Sequence, residues 1–162
     1  MSFYQRSNLL AITVLCAITL SLSGCSVKKY LGLSHANNLK HISVSCSQDC
    51  NSHSPVEYDL VFVFDAGAAS SLSSLSGPQW FRDKQSLQLS LGPKITTVSH
   101  DIVPLTSATE LSLPKKSRDA VAVLLFANYL AAPGQVAAAL QGYKSVAISF
   151  EASKYQIKAG DK

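Results

Sequence analysis

Charge is scarce in this chain. Asp, Glu, Lys and Arg together make up 15% of its 162 residues, against 47% hydrophobic residues, and the mean hydropathy is +0.17. A disordered chain needs the opposite balance. Long apolar runs are also scarce. Past the N-terminus no stretch of about 18 uncharged apolar residues occurs, which excludes a polytopic membrane protein. The basic excess is slight, a formal net charge of +4, and it is not gathered on one amphipathic face, so there is no nucleic-acid footprint. The length suits one domain.

Catalytic signatures are missing as well. No Gly-x-Ser-x-Gly elbow is present, nor a His-Glu-x-x-His pair, a phosphate-cradling glycine loop or a dinucleotide fingerprint. The histidines are His35, His41, His53 and His100. His100-Asp101 is the best acid–base pair, but neighbours on a strand point to opposite faces. The composition therefore reads as a non-enzyme with no cofactor. A hydrolase using His100 and a nearby serine is the alternative from another functional class.

What the chain does have begins with an address. Arg6 precedes an apolar run from Leu9 to Leu22, the layout of a secretory signal too short to span a bilayer. Leu22-Ser23-Gly24-Cys25 follows at once and resembles a bacterial lipobox. That resemblance implies cleavage after Gly24 and an acylated Cys25, with palmitate among its chains. Each buried methylene contributes about 0.8 kcal/mol, so several acyl chains would hold the protein on a membrane. Ser26 stands where an aspartate would resemble an inner-membrane retention signal, which favours the outer membrane, on its periplasmic face. The boundaries are then a signal peptide over 1–24, a lipidated tether over 25–40 and a folded domain over 41–162.

The folded part reads as strands. Ile42, Val44 and Cys46 alternate with polar residues, the period of a half-buried strand. Val56 to Asp65 is apolar on both faces, apart from Glu57, Asp59 and Asp65, and reads as a central strand covered on both sides. Ala120 to Tyr129 reads the same way. Between them, Gly67 to Gln85 breaks the pattern into one or two short helices, with caps at Ser70 and Ser71, a Gly77-Pro78 stop, and Trp80 and Phe81 sealing one end of the core. Leu87, Leu89 and Leu91 alternate like a strand. Ile95 to Val103, Glu110 to Leu113, Ser145 to Glu151 and Tyr155 to Lys158 complete the set, and Gln135 to Gln141 is ambiguous. Seven or eight strands with small helical insertions make a mainly β, antiparallel β-sandwich. Lys115, Lys116 and Arg118 read as a solvated hairpin tip.

One loop stands out. Ser47 to Ser54 is polar, follows a strand and is bracketed by Cys46 and Cys50, with Cys-x-x-x-Cys spacing in an oxidising compartment. A disulfide stapling a short turn is the favoured reading. Metal binding by Cys46, Cys50 and His53 is the alternative, short of a fourth ligand. A stiffened loop loses less entropy on docking, so this one is the candidate partner-binding loop.

The order of features also resembles a known family. A lipobox and tether precede Asp49-Cys50-Asn51 and Ser54-Pro55-Val56. Trp80-Phe81, Asp101-Ile102-Val103-Pro104 and Phe126-Ala127-Asn128-Tyr129 follow. This arrangement resembles the type VI secretion system outer-membrane lipoproteins (VasD/TssJ-like). The resemblance implies a transthyretin-like sandwich that anchors the secretion membrane complex. Its implied partner is the periplasmic region of an IcmF-like inner-membrane component, with further outer subunits of the complex as a second kind of partner. Carried onto this chain, the contact residues are Gln48, Asp49, Asn51 and His53. Another envelope lipoprotein, such as a pilotin or a periplasmic ligand-binding module, is the alternative. Pro104-Leu105 departs from the Pro-Gly often found in the family, and the Cys46–Cys50 pair is not a family hallmark.

Overall fold

The computed structural model describes residues 37–131 and 135–160. The signal peptide expected over 1–24, the lipidation expected at Cys25 and the turn expected at Pro133-Gly134 lie outside the described residues. Eight strands run β1 (His41–Cys46), β2 (Val56–Val63), β3 (Ile95–Ile102), β4 (Thr109–Glu110), β5 (Ala122–Asn128), β6 (Ala138–Ala139), β7 (Ser145–Phe150) and β8 (Tyr155–Ala159). They form two four-stranded sheets, ordered β4-β1-β7-β8 and β3-β2-β5-β6. All neighbours are antiparallel except one pair. β1 and β7 run parallel in register from His41↔Ser145 to Cys46↔Phe150, so the sandwich is mixed and not wholly antiparallel. Period-two patterning identifies a strand and its buried face, but it carries no information about the direction of the neighbour.

The two sheets face each other across alternating side chains. Ile42, Val44 and Cys46 of β1 and Val146, Ile148 and Phe150 of β7 meet Tyr58, Leu60 and Phe62 of β2 and Val123, Leu125 and Ala127 of β5 in one core. Tyr58 and Phe150 rings lie 5.0 Å apart at a 39° tilt. Among the described residues this core runs from Leu39 to Tyr155, and His35–Lys162 form one compact unit. Asn37 and Leu39 are already packed into it; the body therefore starts a few residues before the strand at position 41. No described helix is long and apolar enough to cross a membrane.

The outer face of the second sheet is covered by two helices, α1 (Ala66–Ser73) and α2 (Gly77–Leu91). Asp65 caps α1 by accepting the Ala68 amide at 2.8 Å. Ser76 and Gln79 form a reciprocal capping box at α2, with Pro78 in its first turn. A β-carbon at Gly77 would run into the Ala127 carbonyl oxygen, so glycine lets α2 start hard against β5. The stretch holding Leu87, Leu89 and Leu91 is the end of α2, not a strand. Trp80, Lys84, Leu87 and Leu91 recur at helical spacing and face the sheet, while Leu89 is 79% exposed. Capped at one end and stopped by Gly92-Pro93 at the other, the segment takes the helical period. The ambiguous Gln135 to Gln141 segment is extended, with Ala138–Ala139 paired to β5.

Trp80 covers a sheet face and does not seal an end. It is fully buried, stacks on Phe126 with centroids 4.8 Å apart, and donates its indole N–H to Asp59 Oδ2 at 2.7 Å. Asp59, on the outward face of β2, is 0% exposed. Lys84 Nζ lies 2.8 Å from the same oxygen and 3.1 Å from Oδ1, and it also reaches the Ser99 hydroxyl at 3.0 Å. A charge in the sheet face is thus satisfied from above by one helix. Removing one partner of such a buried pair typically costs about 3–5 kcal/mol. Asp59→Ala should therefore lower the unfolding free energy by that amount in urea titration, and a loss under about 1 kcal/mol would show that α2 docks without this carboxylate.

Candidate interaction site

The strands put four connections at one end of the sandwich: 47–55 after β1, 103–108 after β3, the described residues 129–131 and 135–137 after β5, and 151–154 after β7. The first is held from all sides. Cys46 and Cys50 are joined as a disulfide, with Cα atoms 5.8 Å apart. The bridge uses both thiols, and among the described residues no three His, Cys, Asp or Glu side chains gather as a metal site. Ser47 N–H bonds the Phe150 carbonyl at 3.0 Å. Asn51 N–H and Ser52 N–H bond the carbonyls of Glu151 and Ala152 at 3.0 and 3.2 Å.

Cys50–His53 forms one turn in which Asn51, Ser52 and His53 all have positive φ, 47°, 56° and 64°. Each such residue other than glycine costs roughly 1–2 kcal/mol. Consecutive left-handed residues persist only where the surroundings enforce them. Asn51 supplies most of that enforcement. Its amide donates to the Pro55 carbonyl at 2.6 Å, and its oxygen accepts the Leu130 N–H at 2.7 Å. Only 3% of Asn51 is exposed. Of the four residues expected to touch a partner, Gln48, Asp49 and His53 are exposed and Asn51 is not; it is a positioning residue that staples the loop to the β5 end.

The exposed three are organised. The Ser47 hydroxyl donates to Asp49 Oδ1 at 2.6 Å. That bond holds the Asp49 carboxyl below its ordinary pKa, so it is an anion at neutral pH. His53 Nδ1 lies 3.0 Å from the Gln48 carbonyl oxygen. Asp49, Ser47 and Glu151 line a shallow cleft with Ala152 and Ser153. Beneath, Tyr129 is 5% exposed, and burial pushes its phenol well above the ordinary value.

Sequence reasoning missed the apolar part of this surface. Val103, Leu105 and Leu130 are 55%, 71% and 70% exposed. Leu105 N–H bonds the Ser47 carbonyl and Leu130 N–H bonds Asn51, so both leucines are tied to the stapled loop. Leu105 is itself held at φ 66°. Exposed leucines thus share this end of the sandwich with the exposed Gln48, Asp49 and His53. The available signal was hydrophobic residues beside turn prolines: Val103 and Leu105 flank Pro104, and Leu130 comes shortly before Pro133. His100, the candidate base, stacks on Tyr58 at 5.4 Å, and its Nε2 has no hydrogen-bond partner.

At the level of sequence, the chain matches no family model and no curated protein. Its structure does find neighbours. It superposes on the crystal structure of the T6SS lipoprotein TssJ1 from Pseudomonas aeruginosa with a TM-score of 0.55 at 14% identity, over 76% of this chain and 96% of that one. Serratia marcescens Lip, a membrane bound component of the Type VI Secretion System, matches with a TM-score of 0.56 at 11% identity, over 74% and 96%. The chain shares their fold. The match spans nearly the whole of both neighbours, so the sandwich is common to all three.

Asn51→Ala removes two buried hydrogen bonds while leaving the strained backbone in place. It should cost about 2 kcal/mol in urea unfolding and speed proteolysis within 47–54. Unchanged stability and protease resistance would show that the disulfide alone holds the turn.

Proposed function

We propose that this chain is the lipid-anchored outer-membrane lipoprotein of a type VI secretion membrane complex. In this reading it is a non-enzymatic scaffold. Acyl chains on Cys25 hold it to the periplasmic face of the outer membrane, and the loop end of the sandwich binds the periplasmic region of an IcmF-like inner-membrane component. The observation that carries the reading is the near-complete structural match to two secretion lipoproteins, each covered over 96% of its length. The lipobox ending at Cys25 agrees with it.

The docking end supports the same reading. Gln48, Asp49 and His53 form a polar rim, and Val103, Leu105 and Leu130 supply apolar area. The loop is stapled before any partner arrives, so little ordering entropy is lost on binding. Rigidity suits a part that transmits load between two membranes.

Two measurements test the proposal. Metabolic labelling with a palmitate analogue should tag the chain, and Cys25→Ala should abolish the label. In a pull-down with the periplasmic fragment of an IcmF-like protein, Leu105→Ser with Leu130→Ser should weaken binding at least tenfold. The exposed positions should leave the unfolding free energy within about 0.5 kcal/mol. Full binding by the double variant would remove the loop end from the interface.

A further inference from the structure

The two ends of the sandwich carry opposite charge. At the loop end stand Asp49, Glu57, Asp101 and Glu151; Lys154 opposes them, and Lys84 Nζ lies 3.7 Å from Glu57. Glu57 and Asp101 are register partners at the start of β2 and the end of β3. The other end collects the connections 37–40, 92–94, 111–121 and 140–144. It bears Lys40, Lys94, Lys115, Lys116, Arg118 and Lys144, all exposed. Asp65, Glu110 and Asp119 oppose them, but Asp65 lies 4.0 Å from Lys94 and Glu110 is paired with His41 at 3.0 Å. Lys40, Lys115, Lys116, Arg118 and Lys144 remain, with the exposed Asp119 among them, as a face with a cationic excess.

A second feature marks this face. The tether enters the body here, and it is pinned to the basic turn. Asn37, 7% exposed, donates its amide to the Ser117 carbonyl at 2.6 Å, while its oxygen accepts the Leu39 N–H at 3.0 Å. The Lys40 N–H bonds the Lys144 carbonyl at 2.8 Å. Lys40 and Arg118 then line one shallow cleft with Leu39, His41, Leu113 and Ser117. The cationic groups therefore surround the point where the chain leaves for Cys25.

We infer that this face is a docking surface for the anionic phosphate headgroups of a phospholipid bilayer. It would set the sandwich upright, with the loop end pointing away from the membrane. The location of the bilayer rests on the lipoprotein reading above. Eleven residues lie between Cys25 and Asn37, twelve steps that reach at most about 40 Å, so the anchor alone leaves the body free to tumble. Charge can orient it, because a basic side chain near an anionic surface gains roughly fivefold in affinity and the effect fades within a Debye length of about 10 Å. The acidic loop end is repelled from the same surface. An acidic protein seated on this face is the competing occupant. The tether argues for lipid, since it is attached at this end and keeps it within about 40 Å of the anchor point, nearer than the loop end.

The chain from Asn37 onward, which carries its own core and no lipid, is mixed with sedimenting vesicles. One set is phosphatidylcholine alone and the other contains phosphatidylglycerol. Binding is expected only to the phosphatidylglycerol vesicles and should be lost at high salt. Lys115→Gln, Lys116→Gln and Arg118→Gln together should weaken it roughly a hundredfold, Lys40→Gln with Lys144→Gln about 25-fold, and Lys154→Gln at the loop end should leave it unchanged. No binding to phosphatidylglycerol vesicles, equal binding to both sets, or full binding by both cationic-face variants would overturn the inference. Because this chain lacks Cys25, a failure of palmitate labelling would count against the lipoprotein reading and leave the vesicle result standing.

Discussion

The fold turns on the carboxylate of Asp59. It lies in the middle of the central strand of the second sheet, on the face away from the core, with no exposure to water. Such a group is tolerable only when hydrogen-bonded and charge-paired. Trp80 and Lys84 supply both, from one turn of one helix. That requirement fixes where α2 lies, and α2 in turn covers Phe126 and allows β2 and β5 to be apolar on both faces. With one sheet roofed by helices and the other facing it across the core, the ends of the sandwich hold the connections through which it can engage something else. Both functional arguments accordingly concern ends.

The loop end depends on redundancy. Three consecutive left-handed residues are costly, and they are retained by a disulfide on one side, the Asn51 amide on another and two backbone bonds to the β7–β8 connection on a third. This couples 47–54, 103–106 and 130 into one surface although each comes from a different strand pair. Strain held by several independent contacts marks a conformation that is kept for a purpose. Here the result is a polar rim and exposed leucines presented without movement.

Much of this was legible in the sequence, and the gaps have physical causes. Strand positions such as Val44 or Ile148 follow from a period of two, because one buried face leaves no other pattern. The 47–54 loop was legible because polar residues between strands, bracketed by cysteines, have few other roles. That Asn51 is buried was not legible, because asparagine is equally at home as an exposed contact and as a left-handed staple, and only the Pro55 and Leu130 partners show which it is here. Leu87 to Leu91 alternates, but helix caps ten residues upstream outweigh local alternation. Asp59 read as a polar face because nothing in a single strand shows that a tryptophan and a lysine 21 and 25 residues later will close over it. The parallel β1–β7 pair is likewise a property of topology and not of pattern.

The separation of the two ends gives the charge asymmetry its meaning. β2 has eight residues, so the strands span about 27 Å at 3.4 Å per residue. The Debye length at physiological salt is about 8 Å. Across three such lengths the acidic end cannot screen the basic one, and each presents its own sign to whatever it meets. On the proposed reading, a tether joined at the basic end and a docking loop at the acidic end would form a spacer with built-in polarity, one end attracted to a phosphate-rich surface and the other repelled from it. Orientation would come from the distribution of a few exposed side chains along the strand axis, with no change in the core, which is why charge reversal at one end should alter how the body stands without altering how it folds.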